Sequence, residues 1–100
     1  MTDTQKISRT LLVTNKAGFH LRVASMISQT AMKYQSDVSL TKGSYRADCK
    51  SCLDLLAVMA PTGTPLTLCA EGPDASEIAG IITEMFRTKF GEDEFAPAKN

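Results

Sequence analysis

The sequence predicts an α+β fold, in which an antiparallel or mixed sheet of four short strands packs against three helices on one of its faces. Strand-like segments, with apolar residues at every second position, alternate along the chain with helix-like segments, in which apolar residues recur every three or four positions. Two of the strand-like segments are separated only by a short turn, which favours a hairpin and hence an antiparallel pair. The predicted order is strand, helix, strand, strand, helix, strand, helix.

The length and composition indicate one domain without a strong overall charge. The 100 residues, 43% of them hydrophobic, are enough for a single core and too few for two. Eleven basic and eleven acidic residues cancel, so the net charge does not favour nucleic acid or an anionic membrane as a partner. The sequence contains no apolar run as long as a membrane span. We therefore expect a cytoplasmic monomer without nucleic-acid binding or membrane insertion.

The first half of the chain predicts a strand, a helix and a hairpin. Residues 7–14 alternate as a strand and are followed by a turn that includes Gly18. Residues 21–34 have the spacing of a helix face. Residues 37–40 and 45–47 are short strand-like segments on either side of a turn, so a hairpin is the simplest interpretation.

The next segment predicts a short helix followed by a strand. The apolar run 52–59 stops before Pro61, and Ser51 with Asp54 resembles a capping box at its start. This run is apolar on more than one face, so it is either fully buried or partly exposed for a partner, and the pattern leaves both open. Residues 66–70 alternate cleanly as the last strand.

The last helix has the clearest amphipathic pattern in the chain. Asp74 with Glu77 resembles a second capping box, and Gly91 is placed to end the helix. Gly80 lies in the middle, where glycine costs about 1 kcal/mol relative to alanine, so we expect another element to pack closely there. Residues 92–100 are mostly polar and predict a flexible tail.

The only histidine of the chain, His20, lies between the Gly18 turn and the start of the first predicted helix. Unpaired amides at a helix start favour an anion, and the same field favours the neutral, nucleophilic imidazole over the imidazolium. Arg22, two positions later, adds a guanidinium group suited to a phosphate. These features together predict a phosphohistidine. The alternative, a surface or capping histidine, is the commoner role at such a junction.

Two motifs resemble those of the HPr family, the histidine phosphocarriers of the bacterial phosphoenolpyruvate:sugar phosphotransferase system. In that family a glycine and an apolar residue precede the active-site histidine, and any residue, arginine, proline and alanine follow it. The segment Gly18-Phe19-His20-Leu21-Arg22-Val23-Ala24 matches this pattern except at the proline. The pair Lys50-Ser51 matches the second motif, a Lys-Ser pair at the start of a short helix, and His20 and Ser51 have the family's separation of 31 positions. The resemblance extends over residues 7–91.

The resemblance implies an open-faced β-sandwich, with a four-stranded antiparallel sheet and three helices on one face. It implies a single domain over residues 1–91, followed by the tail. It further implies that His20 accepts a phosphoryl group on Nδ1 from phosphorylated enzyme I and passes it to a IIA component of a sugar permease. Arg22 would hold the phosphate oxygens. The protein is then a carrier with no turnover of its own.

The same resemblance implies a regulatory and a docking role for the second motif. Ser51 corresponds to the serine that a dedicated serine kinase phosphorylates in many members of the family. The alternative for this residue is a plain helix N-cap, which contributes about 1 kcal/mol. The residues expected to contact partner proteins are Phe19, Lys50, Cys52, Leu53 and Leu56.

Two substitutions depart from the family pattern. Val23 replaces the proline that follows the motif's arginine, which restores a backbone N–H in the first helical turn. Met59 replaces a glycine that is common after the short helix. These departures suggest a divergent member that serves a regulatory phosphorelay, and a docking module that binds regulators without phosphoryl transfer is an alternative function. Retention of His20 with Arg22 argues against docking alone.

The cysteines suggest a third function, a small zinc or thiol-redox module. Cys49 and Cys52 form a C-x-x-C motif, and with Cys69 and His20 they make up a Cys₃His set. However, Cys69 lies in a predicted core strand, where a free cysteine behaves as a small hydrophobic residue. An odd number of cysteines also indicates reduced thiols. We therefore expect no metal and no cofactor.

Overall fold

A computed structural model describes residues 4–92 as a four-stranded sheet covered on one face by helices, which confirms the predicted fold class and element order. The strands are β1 (Gln5–Leu12), β2 (Asp37–Lys42), β3 (Tyr45–Asp48) and β4 (Pro65–Gly72). The helices are α1 (Leu21–Ala31), α2 (Cys52–Leu56) and α3 (Ala75–Arg87), and a 3₁₀ turn (Lys89–Gly91) follows α3. The predicted tail, apart from Glu92, lies outside the described residues. Within residues 4–92, no helix is both long and apolar enough to cross a membrane.

The sheet has the strand order β1-β4-β2-β3, and all neighbouring strands are antiparallel, so the sheet is not mixed. Register places Ser8, Cys69, Ser39 and Asp48 side by side across the four strands. Because side chains alternate along a strand, this row and its neighbours two positions away lie on the face turned from the helices. That face is therefore the open one.

The core lies between the other face of the sheet and the helices. The sheet contributes Leu11, Leu40, Leu66 and Leu68, and the helices contribute Val23, Ile27, Leu55, Ile78 and Ile82, all of them buried. These positions follow the period of two in the strands and of about 3.6 in the helices, as the apolar pattern predicted. The fold is held by this single contiguous cluster.

Several predicted element ends were wrong by two to four residues. β1 ends at Leu12, because Val13 turns out of the ladder and pairs with the loop before β4, its carbonyl accepting from Gly63 N at 2.7 Å. α1 ends at Ala31 rather than at Tyr34, and α3 ends at Arg87 rather than continuing to Gly91. Helix ends depend on local hydrogen bonds that an apolar pattern does not specify.

The predicted capping box at Asp74 was wrong. Asp74 precedes α3, but its carboxylate makes no capping bond to the helix. It accepts hydrogen bonds from the amides of Gln35 at 3.0 Å and Ser36 at 2.9 Å, and from the Ser36 hydroxyl. These hydrogen bonds, with that of the Ser36 hydroxyl the largest cause, lower the pKa of Asp74 below its usual value. The carboxylate therefore joins the loop after α1 to the start of α3.

The close packing predicted at Gly80 was also wrong. The residue is exposed, and a Cβ added there would meet no atom of another element within 4 Å. Gly80 therefore lies on the solvent face of α3.

Candidate functional site

His20 occupies the N-cap position of α1. Its backbone is extended, with φ −141° and ψ −174°, and its carbonyl accepts the first helical hydrogen bond from Ala24 N at 2.9 Å. The imidazole is half-buried and makes no capping hydrogen bond. The first turn of this 11-residue helix also contains no acidic side chain. The amides of that turn, which have no acceptor within the helix, and the positive end of the helix dipole therefore favour an anion beside His20.

A tight turn leads the chain into this position. The buried Asn15 side chain donates from Nδ2 to the Gly18 carbonyl at 2.6 Å, and Gly18 N donates to the Asn15 carbonyl at 3.1 Å. Gly18 has φ +75°, and a Cβ added there would lie 2.9 Å from the Ala60 carbonyl oxygen. Only glycine meets both conditions without strain.

The residue between the turn and the histidine anchors the loop. Phe19 N donates to the Ala60 carbonyl at 2.8 Å, which ties the loop to the segment after α2. Its ring is only 8% exposed and belongs to the core. Phe19 was expected to contact partner proteins, but its side chain turns inward and leaves little surface for such a contact.

Arg22 is held by the 3₁₀ turn that follows α3. Its Nη1 donates to the Phe90 carbonyl at 3.0 Å and contacts Met26 Sδ at 3.5 Å. Glu92 reaches the same region, where its Oε2 accepts from Ala17 N at 2.8 Å. Sequence reasoning missed Phe90 and Glu92, since contacts across 68 and 75 positions leave no local pattern.

Ser51 is the N-cap of α2, and its Oγ accepts from Asp54 N at 3.1 Å. Asp54 does not complete the predicted capping box. Its Oδ2 accepts instead from Asp48 N at 3.2 Å. The Asp54 carboxylate is thus used elsewhere, and the side-chain cap is formed by the half-buried serine alone.

The start of α2 packs beside α1, with Ser25 Oγ 3.9 Å from Cys52 Sγ. Leu55 is fully buried, whereas Leu53 is 79% exposed. The helix is therefore neither fully buried nor a free surface helix. Leu56 is half-buried, and Lys50 is held by a hydrogen bond from Nζ to the Tyr34 carbonyl at 2.9 Å.

Three large apolar side chains are exposed near the His20 loop or on α2. They are Leu21, Leu53 and Met59. Leu21 adjoins His20 in the chain, and Met59 adjoins Ala60, the residue that anchors the loop. We call these three residues the apolar rim. Each of them exposes apolar surface that a partner protein could cover.

The three cysteines lie in different environments. Cys49 is fully buried, and this burial, with a smaller contribution from Asp48, raises the pKa of its thiol to about 12. Cys52 is half-buried beside α1. Cys69 was expected in the core, but it is half-buried on the open face, 3.8 Å from Ser8 Oγ. In the described part of the chain, no three His, Cys, Asp or Glu side chains are grouped to hold a metal ion.

Known proteins resemble this chain in sequence and in fold. A family model described as "PTS HPr component phosphorylation site" matches residues 7–88. The phosphocarrier protein HPr of Treponema pallidum is 34% identical over 87% of this chain and 99% of its own length. The phosphocarrier protein NPr of Shewanella violacea is 29% identical over 87% of this chain and 96% of its own. The crystal structure of HPr from Thermoanaerobacter tengcongensis superposes with a TM-score of 0.81 at 30% identity, covering 86% of this chain and 97% of that one.

Proposed function

Since this chain belongs to the HPr family of the phosphotransferase system, whose members are phosphocarriers and not themselves catalysts, we propose that His20 is its phosphoacceptor. The observation that carries the proposal is the position of His20 at the N-cap of α1, with a side chain that makes no capping bond. The first-turn amides of α1 can therefore donate to a phosphoryl group on the imidazole. A histidine with only a capping role would instead accept a hydrogen bond from these amides with its own side chain.

Transfer through His20 requires only positioning and charge stabilisation. The lone pair of Nδ1 forms the bond to phosphorus as the bond from phosphorus to the donor breaks, and the reverse exchange delivers the group to the acceptor. By the family resemblance, the donor is phosphorylated enzyme I and the acceptor is a IIA-type protein. The amides at the start of α1 offset the negative charge on the carrier during both steps.

Arg22 is the proposed second ligand of the phosphoryl oxygens. Its guanidinium group donates to the Phe90 carbonyl, a neutral acceptor. A phosphoryl group is a stronger, charged acceptor for arginine N–H groups. We propose that Arg22 therefore shifts toward the phosphoryl group when His20 is modified.

Ser51 is the proposed regulatory site. It caps α2, and α2 packs beside α1, so a phosphate on Ser51 would add negative charge to the surface around His20. Asp48 and Asp54 lie beside this cap, and their charges would add to it rather than offset it. The expected result is weaker docking of an acidic partner surface, with the fold retained.

The apolar rim, with Cys52 and Leu56 beside it, is the proposed contact surface for both partners. A protein that exchanges a phosphoryl group with Nδ1 must cover the surface immediately around His20. Lys50 precedes Ser51 in the chain, and its Nζ donates to the Tyr34 carbonyl. We favour the carrier over a module that only docks, because His20 and Arg22 both lie at the start of α1, where a phosphoryl group can be held.

Label transfer from phosphoenolpyruvate through the host's enzyme I tests the proposal. We expect acid-labile label on the wild-type protein and none on His20→Ala. His20→Gln serves as a second variant that keeps a polar side chain at the N-cap, and circular dichroism checks that both variants fold. Absence of label on the wild-type protein, with active enzyme I present, would contradict the phosphocarrier function and favour the docking module.

A further inference from the structure

Met59 combines a strained backbone with an exposed side chain. It has φ +49°, in the left-handed region where the Cβ of an L-residue crowds the backbone. Its side chain is 72% exposed. A flexible apolar residue in this conformation is uncommon, whereas glycine adopts it without cost. Something other than local backbone preference must account for a methionine here.

Contacts within residues 4–92 do not account for it. The Met59 carbonyl accepts from Lys42 Nζ at 3.2 Å, but any residue supplies the same carbonyl. Phe90 provides a contrast, since it also has a positive φ, +55°, yet its ring is 2% exposed and packs edge-on against Phe86 with centroids 4.9 Å apart. Core packing offsets the strain at Phe90, and no comparable burial offsets it at Met59.

The position of Met59 suggests what its side chain contacts. The next residue, Ala60, accepts the hydrogen bond from Phe19 N at 2.8 Å, and Phe19 precedes His20. Met59 therefore borders the proposed phosphoacceptor and belongs to the apolar rim. Any protein that delivers a phosphoryl group to His20 covers this border, so its surface is continuous with Met59.

We propose that Met59 is a specificity-determining contact for the phosphoryl-donor protein, and that its thioether side chain enters an apolar pocket of that donor. This inference rests on the proposed phosphocarrier function. The donor is the partner that every transfer through His20 requires, whichever acceptor follows. Methionine suits such a contact because it is unbranched and polarizable and adapts to an irregular pocket. The backbone strain is then retained for binding rather than for stability.

Two substitutions separate the side chain from the backbone. Met59→Gly removes both the side chain and the strain, whereas Met59→Ala removes the side chain and keeps the strain. Met32→Ala is the matched control, since Met32 is 66% exposed, has φ −67° and lies at the opposite end of α1 from His20. The assay is steady-state phosphorylation of each variant by enzyme I and phosphoenolpyruvate, with the variant as the varied substrate.

We expect both Met59 variants to raise KM about fivefold to twentyfold, with kcat nearly unchanged, because an exposed apolar contact is lost. Met32→Ala should leave KM as in the wild type. Met59→Gly alone should raise Tm, by about 4 to 8 °C, because it relieves the strain.

An unchanged KM in both Met59 variants, or a fall in kcat alone, would overturn the contact while the wild-type protein still serves as a phosphocarrier. No rise in Tm for Met59→Gly would overturn the argument from strain. A wild-type protein that accepts no label would overturn the phosphocarrier function and this inference together.

Discussion

Replacing Gly18 by alanine tests how the turn before His20 is built. Two costs act at this position. A left-handed conformation costs an L-residue about 1–2 kcal/mol, and Gly18 has φ +75°. The new Cβ would also lie 2.9 Å from the Ala60 carbonyl oxygen and 3.2 Å from Pro61 Cα, both backbone atoms that move only with their segment. We expect a total destabilisation of about 2–4 kcal/mol, which corresponds to a fall in Tm of roughly 8–32 °C.

Gly43→Ala separates the two costs. Gly43 has φ +59°, but a Cβ added there meets nothing within 4 Å, so only the conformational cost of about 1–2 kcal/mol applies. Thermal unfolding followed by circular dichroism measures both variants. Because the clash pushes Ala60 away from Phe19, Gly18→Ala should also slow phosphorylation of His20 at a temperature where the variant is folded. Equal Tm values for the two variants would refute the argument that close approach, rather than φ alone, requires glycine at position 18.

Further predictions concern the second motif, a loop carboxylate and the buried thiol. Ser51→Ala removes a helix cap and should lower stability by about 1 kcal/mol in urea unfolding, whereas Ser51→Asp should keep the cap and weaken binding to enzyme I in a titration. The pKa of Asp74 is lowered in the folded state, so its contribution to stability is present above the unfolded pKa and is lost as the pH falls through the folded pKa. In Asp74→Asn, Tm should therefore fall less steeply than in the wild type as the pH is lowered into the acid range. An equally steep fall in both proteins would contradict this. Cys49, with its pKa raised to about 12, should resist alkylation at pH 8 while half-buried Cys52 reacts, as peptide mass spectrometry after brief labelling can measure. Equal labelling of the two thiols in the folded protein would contradict the burial of Cys49.

Much of the architecture was predictable from local patterns. Period-two alternation located the four strands, and helical spacing located α1 and α3, because one buried face imposes its period on the sequence. Ser51 was correctly predicted as a cap because N-capping is a local interaction between a side chain and an amide three positions later. The same reasoning failed at Asp74, where the amides of Gln35 and Ser36 compete for the carboxylate from a distant part of the chain.

The sequence by itself determined the fold class, the family and the identity of the candidate phosphoacceptor, because these depend on periodicity and on short motifs around His20 and Ser51. Only the tertiary structure decided which side chains around His20 and α2 are exposed and which are buried. It placed Phe19 in the core, exposed Leu53 and held Met59 in a left-handed backbone conformation. It also brought the Phe90 carbonyl to Arg22. The physical reason is that burial and long-range hydrogen bonds depend on how the elements pack together, and residues far apart in the chain carry no shared local pattern that would reveal their contact.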